Sequence, residues 1–290
     1  MINELSTLKT VNPPKWLPDN VMYECMMGSL AYGVSSDNSD VDLYGFCIPP
    51  KRIIFPHLSG AIPGFTTNVE KFDQWQQHHI DYKEKEYDCQ IFNIIKYFRL
   101  CMDCNPNMID SLFVPQNCIL HITQVGNMVR ENRELFLHKG AWHRFKGYAY
   151  SQLHKMRGKK PKEGSNRFEL REKFGFDVKF GYHVVRLMDE VEQILSTGTV
   201  DLQRAKEHMK AVRRGEVTFD DIVSHFNERE KTLENLYSNS KLPYKPDEDK
   251  IKELLMNCLE QHYGSIDNCV VRNDKYEAAI RKIERIVNEI

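Results

Sequence analysis

The chain has 290 residues, a formal net charge of −1, 41% hydrophobic and 28% charged side chains. This is the balance of a soluble globular enzyme with room for one large domain or two modest ones, and it excludes a global basic field advertising nucleic acid. No apolar run approaches the length of a bilayer span, and Met1-Ile2-Asn3-Glu4-Leu5 lacks both the basic and the apolar region of a secretory signal, so a cytoplasmic chain with no membrane partner is predicted. The eight cysteines are scattered and read as reduced, mostly buried thiols. Cys101-Met-Asp-Cys104 is the one C-x-x-C, and with no second pair at zinc spacing it reads as a helix end.

Residues 1–20 contain Pro13-Pro14 and Pro18 and suit an extended arm. Val21 to Met27 is apolar and reads as a buried strand. Gly28-Ser29 then turns into a short helix, a polar loop follows, and Val41 to Ile48 forms a second strand carrying Asp40-x-Asp42. Strand side chains alternate, so Asp40 and Asp42 are predicted to share a face, roughly 6–7 Å apart. Carboxylates that close repel unless a cation lies between them. Mg²⁺ takes oxygen ligands and often uses one or two carboxylates plus substrate phosphates, and a pair of such ions can activate a hydroxyl and stabilise a leaving pyrophosphate. Gly28 lets backbone approach a phosphate, N–H groups at a helix start attract its charge, and Ser29 adds a hydroxyl. Gly28 to Gly33 has P-loop-like spacing, but no Lys-Ser or Lys-Thr follows, which argues against a P-loop.

Residues 49–80 read as irregular, with prolines at 49, 50, 56 and 63, and His78-His79 read as loop residues. Tyr82 to Phe92 is a predicted strand in which Glu84, Glu86 and Asp88 alternate, so one of them can meet Asp40 and Asp42. Phe92 to Leu112 reads as helical, broken at Asn105-Pro106-Asn107, where Asn105 caps the next helix and Pro106 starts it. Val114-Pro115-Gln116-Asn117 is the expected domain boundary. Beyond it the chain reads as almost wholly helical. Between 139 and 179 there are twelve Lys or Arg against four acids, with Trp142, Phe145, Tyr148 and Tyr150 among the first of them. That is the footprint expected for a polynucleotide or a triphosphate; a solvated basic loop is the competing reading. Phe176 to Leu195 is a predicted helix with Lys179, His183 and Arg186 on one stripe and Val184, Leu187, Val191 and Leu195 on another. The region 216–290 is helical and charged, with apolar stripes at Ile251, Leu254, Leu255, Cys258 and Leu259 and at Ala278, Ile280, Ile283 and Ile286.

The Gly-Ser and Asp-x-Asp combination resembles the DNA polymerase beta nucleotidyltransferase superfamily. Gly28-Ser29-x-Ala31-Tyr32-Gly33 with Ser39-Asp40-x-Asp42-x-x-Gly45 is similar to the RNA-ligase-associated, RlaP-type predicted nucleotidyltransferases. Three further stretches resemble that family. Asn105-Pro106-Asn107-x-x-Asp110-x-Leu112 has Asp110 in place of the usual Glu. Gly175-Phe176-Asp177-x-Lys179-x-x-x-His183-x-x-Arg186-Leu187 is the second. Ile194-Leu195-Ser196-Thr197-Gly198 with Val212-Arg213-Arg214-Gly215-Glu216 is the third.

The resemblance implies an α+β fold. A polymerase-beta-type mixed sheet with helices spans residues 1–117, and an all-helical domain over 118–290 closes the cleft. It implies two Mg²⁺ ions, with Mn²⁺ as a substitute, held by Asp40, Asp42 and a third carboxylate that also serves as general base. Asp88 is the chosen residue and Glu86 its competitor. It further implies that Gly28, Ser29, Tyr32, Lys179, His183 and Arg186 hold a nucleoside triphosphate such as ATP, and that Arg144, Lys146 and Lys155 meet an acceptor. The expected acceptor is a tRNA or cleaved RNA end, with a functional link to an RNA ligase. Two rivals are nucleotidylylation of a protein or small molecule and a non-enzymatic nucleic-acid-binding protein.

Overall fold

The computed structural model describes residues 1–35, 39–55, 57, 62, 71–158, 163, 166–264, 283 and 287. The polar loop at 36–38, Pro56, Pro63, the lysines at 159, 160 and 162, Cys269, and the apolar stripe at Ala278, Ile280 and Ile286 lie outside the described residues.

A short helix α1 (Ile2–Thr7) leads to β1 (Val21–Met26), α2 (Gly28–Ala31), β2 (Val41–Cys47) and α3 (Lys51–Ile54). Then come β3 (Gln74–Tyr82), β4 (Lys85–Asn93), α4 (Ile94–Met102), α5 (Pro106–Phe113) and β5 (Ile119–Ile122). The remaining described elements are helices: α6 (Gln124–Glu131), α7 (Ala141–Gly158), α8 (Asn166–Phe174), α9 (Val178–Thr197), α10 (Lys206–Arg213), α11 (Phe219–Asn239) and α12 (Glu248–Tyr263). The five strands form one mixed sheet in the order β3-β4-β2-β1-β5. Only the central pair β2 and β4 is parallel; β1 is antiparallel to β2 and β5, and β3 to β4.

Two findings differ from the expectation. Residues 74–82 form an edge strand where the sequence reads as irregular. Its side chains are mostly half-buried or exposed, so it lacks the apolar alternation that marks a strand facing a core. The last strand, β5, pairs with β1 although it lies past residue 117, so the sheet borrows its edge from the segment assigned to the helical part. Its four residues are half-buried or exposed, too short and too wet for a pattern.

One sheet face packs on α1 and the N-terminal arm through Ile2, Leu5, Leu17, Val41, Leu43 and Ile91. The other packs on the helices: Tyr23, Phe46, Phe92 and Tyr97 join Val184, Leu187 and Val191 of α9 in one continuous core. Gly45 sits where β2 crowds against β1, since an added Cβ would lie 2.1 Å from the Tyr23 carbonyl oxygen. Helix α9 is the hub of the helical part, packed by α7, α10 and α11. It starts on Asp177, whose carboxylate accepts from the Lys179 N–H at 3.0 Å, and stops at Gly198 in the left-handed region. Asn105 caps α5 as expected, accepting from the N–H groups of Asn107 and Met108. Cys101 ends in α4, Cys104 lies just past it, and both are buried free thiols. Among the described residues no helix is long and apolar enough to cross a membrane.

Candidate active site

The register of the parallel pair sets Asp42 of β2 directly beside Asp88 of β4. Adjacent strands lie about 4.7–4.9 Å apart, so the two carboxylates are neighbours on one sheet face. Asp40 is exposed and precedes β2 rather than lying within it. All three line a cleft of about 630 Å³ together with Gly28 and Ser29.

The Gly-Ser turn rests on Asp42. The Met27 N–H donates to the Asp42 carbonyl at 2.7 Å. Gly28 has φ +63°, and a Cβ there would lie 2.1 Å from Asp42 Oδ2. Gly28→Ala therefore adds left-handed strain and pushes against the carboxylate itself. The expected result is a loss of about 1 kcal/mol or more of stability, read as a lower urea midpoint, and a larger drop in divalent-ion affinity, read by titration calorimetry. Unchanged metal affinity would contradict it.

Asp88 is held from the edge strand. β3 slips register between Gln77 and Ile80, and His79 there has φ +55°. This bulge points the His79 backbone N–H at Asp88 Oδ1, 2.9 Å away, with His78 Nδ1 3.4 Å from the same oxygen. Glu86 is instead engaged by the His79 ring at 2.7 Å, which raises the exposed His79 imidazole above its ordinary value. His79, Glu86 and Asp88 bring one ligand atom each within 4.8 Å of one another. The two histidines are thus the partners of the acids, a role that neighbouring polar residues on a solvated strand do not announce.

The opposite wall is basic. Lys179 and His183 of α9 line the cleft, with Arg167 of α8 and Arg213 of α10 beside them. Arg167 pairs with buried Asp177 at 2.7 Å and lies 4.4 Å from the Phe180 ring centroid. Arg213 donates to the Val34 carbonyl and covers the Tyr182 ring. Lys179 has no ion pair among the described residues and is exposed. The count of basic residues over 139–179 does not separate Arg167 from its neighbours; only its pairing with Asp177 does.

Charge within the cleft is unbalanced in two places. Burial, opposed by Lys179 and reinforced by Asp88 and Asp40, raises the Asp42 carboxyl above the usual aspartate range. Burial, with the charges of Arg186, Lys179, Arg167 and Arg213, drives the His183 imidazole well below its ordinary value. His183 is therefore neutral at neutral pH, and among the described residues its buried Nδ1 has no hydrogen-bond partner. Three carboxylates lining one cleft, beside a Gly28 cradle with no room for a Cβ, fit a hard divalent cation. Asp40, Asp42 and Asp88 are the residues that would hold it.

Two expected nucleotide contacts lie deeper. Arg186 is buried between Asp110 and Glu190, and its guanidinium lies 4.6 Å from the Tyr32 ring centroid. The Tyr32 hydroxyl donates to Asp110 Oδ2 at 2.8 Å. Burial raises both carboxyls, with Arg186 opposing. Tyr32 and Arg186 thus join the end of α2 to α5 and α9 behind the cleft, while also reaching a smaller pocket beside it. Of the three expected acceptor residues, Arg144 and Lys155 are exposed on the α7 face that carries Tyr148 and Gln152, Arg144 pairing with Asp103 at 3.3 Å. Lys146 turns the other way, to Glu230 of α11 at 2.7 Å and onto the Trp142 ring.

Among solved structures the fold aligns with a nucleotidyltransferase-like protein from Exiguobacterium sibiricum, over 90% of this chain and 76% of that one, at 8% identity and a TM-score of 0.29. No curated protein gives a significant match. The model of the RlaP family, the RNA repair pathway DNA polymerase beta family, matches residues 2–257, and the chain belongs to that family of DNA polymerase beta-like nucleotidyltransferases.

Proposed function

We propose that the protein transfers a nucleoside monophosphate from a nucleoside triphosphate to the hydroxyl of an RNA end, a tRNA or a cleaved RNA, releasing pyrophosphate. The observation that carries this reading is the in-register pair Asp42 and Asp88 facing a wall of Lys179, Arg167 and Arg213. Acids on one side and cations on the other match a substrate that is a polyanion at one end and a hydroxyl at the other. Divalent ions such as Mg²⁺ or Mn²⁺, when bound by Asp40, Asp42 and Asp88, would neutralise the phosphates and lower the barrier to attack by several kcal/mol.

The chain's own groups divide the remaining work. Lys179, Arg167 and Arg213 hold the triphosphate, with the Ser29 hydroxyl and the Gly28 backbone against its outer phosphates. His183, neutral in its nest of cations, offers a hydrogen bond without adding charge. Asp88, fixed by the His79 N–H, accepts the proton of the acceptor hydroxyl as its oxygen bonds to the α-phosphorus and the bond to pyrophosphate breaks. Arg144 and Lys155 at the rim of α7 meet the RNA backbone, so that in this reading the sheet and the helical part each supply one side of the cleft.

The role of Asp88 is separable from that of Glu86. Asp88→Asn is expected to lower pyrophosphate release by about 10³-fold, several kcal/mol at 1.36 kcal/mol per tenfold, whereas Glu86→Gln stays within about threefold of wild type. Equal losses, or a larger loss for Glu86→Gln, would overturn the assignment. The acceptor is tested with RNA ending in a 3′-hydroxyl against the same RNA ending in a 3′-deoxy sugar. Label should enter only the first; pyrophosphate release without RNA labelling would favour a protein or small-molecule acceptor.

A further inference from the structure

The acidic cleft adjoins a pocket of about 270 Å³, and the two share Gly28, Asp42, Lys179 and His183. Beyond those shared residues their chemistry differs. The cleft has Asp40, Asp88, Arg167 and Arg213; the pocket has the rings of Tyr44 and Tyr148, the carboxamides of Asn107 and Gln152 and the apolar side chain of Leu187, with the ion-paired Arg186 and Tyr32 also in its wall. Pockets for drug-sized ligands run about 300–1,000 Å³, so this one suits a single planar ring system rather than a whole nucleotide.

Its polar groups are prepared for a partner. Asn105 Nδ2 donates to the Tyr148 hydroxyl at 3.1 Å, which fixes that ring. Among the described residues the carboxamides of Asn107 and Gln152 make no hydrogen bond, although both residues are half-buried. A carboxamide offers one donor and one acceptor side by side, the pattern that pairs with the N6 and N7 edge of adenine, and aromatic rings are platforms on which a base stacks.

We propose that this pocket takes the nucleobase of the nucleotide being transferred, adenine by preference, with Asn107 and Gln152 as the specificity-determining side chains. The assignment to the transferred nucleotide rests on the function proposed above. The pocket borders Asp42 but not Asp88, the acid on the attacking side, so a base seated there belongs to the triphosphate and not to the acceptor. Base recognition itself needs neither metal nor transfer.

The test is calorimetric titration of the full chain in EDTA with AMP, CMP, GMP and UMP in turn. Wild type is expected to bind AMP about tenfold more tightly than the others. Gln152→Leu and Asn107→Leu should each shrink that ratio to about threefold or less, with melting temperatures little changed, since neither side chain makes a hydrogen bond among the described residues. Equal affinities in wild type, or a preference that survives both substitutions, would overturn the proposal. A pyrimidine preference would overturn the adenine assignment. An AMP preference lost in both variants, from a protein that transfers no nucleotide, would support the pocket while refuting the transfer reading.

Discussion

Asp42→Asn is expected to abolish nucleotide transfer, by about 10³-fold or more, and at the same time to make the metal-free protein more stable. The first effect follows from the position of Asp42 between Asp88, its register partner, and the Gly28 turn packed on its carboxylate. The second follows from electrostatics. Burial, then its acidic neighbours, raise the folded-state pKa of Asp42 against the pull of Lys179. A carboxyl whose pKa is higher folded than unfolded binds its proton more tightly in the folded state. It therefore costs nothing below the unfolded value near about 4, and the metal-free protein loses stability as pH rises from there through the folded value. Asn removes that cost. The expected gain at neutral pH is about 1 kcal/mol, or about 2–4 °C in melting temperature, vanishing below about pH 4. Added Mg²⁺ should raise the melting temperature of wild type and leave the variant's unchanged. A variant less stable than wild type at neutral pH without metal would contradict this account of the acids.

Arg186→Met is expected to cost about 3–5 kcal/mol of folding stability, because it leaves Asp110 and Glu190 buried without their cation. Denaturant melts read it directly as a lower midpoint at unchanged slope. Arg186→Lys keeps the charge but not the fork that reaches both acids and lies over Tyr32, so it should fall between. Arg186→Met combined with Asp110→Asn and Glu190→Gln should recover a large part of the loss, since neutral partners need no cation. If Arg186→Met melts within about 1 kcal/mol of wild type and weakens only triphosphate binding, Arg186 is a phosphate ligand, as its place in the sequence motif implies, and not the strut behind the cleft.

These two residues show what a sequence can and cannot reveal. Asp42 was legible because an apolar strand, a Gly-Ser turn and an Asp-x-Asp are local features, and their order alone puts a carboxylate beside the Gly-Ser turn. The α9 helix was legible from its period, and Asn105 from its capping chemistry. Arg186 was legible as one end of a Lys179, His183, Arg186 stripe, but not as buried. Its partner Asp110 lies 76 positions away, and no periodicity reports a contact across that separation. The same holds for Arg213, which reaches the Val34 carbonyl from 179 positions off. The edge strand β3 escaped for a different reason. A strand wet on most of its side chains has no hydrophobic signature, so the bulge that brings His78 and His79 to Asp88 could not be foreseen, although it is what orients the proposed base. The boundary expected near residue 117 marks where the strong strand pattern ends in the sequence, while the sheet itself runs on to β5.

The most direct measurement is incubation of the protein with Mg²⁺, α-labelled nucleoside triphosphates and a pool of tRNA and cleaved RNA ends, beside the double variant Asp40→Ala and Asp42→Ala. The account predicts label in RNA with wild type alone, with pyrophosphate released in equal amount. Absence of both label and pyrophosphate with Mg²⁺ and with Mn²⁺, or equal labelling by the double variant, would contradict it.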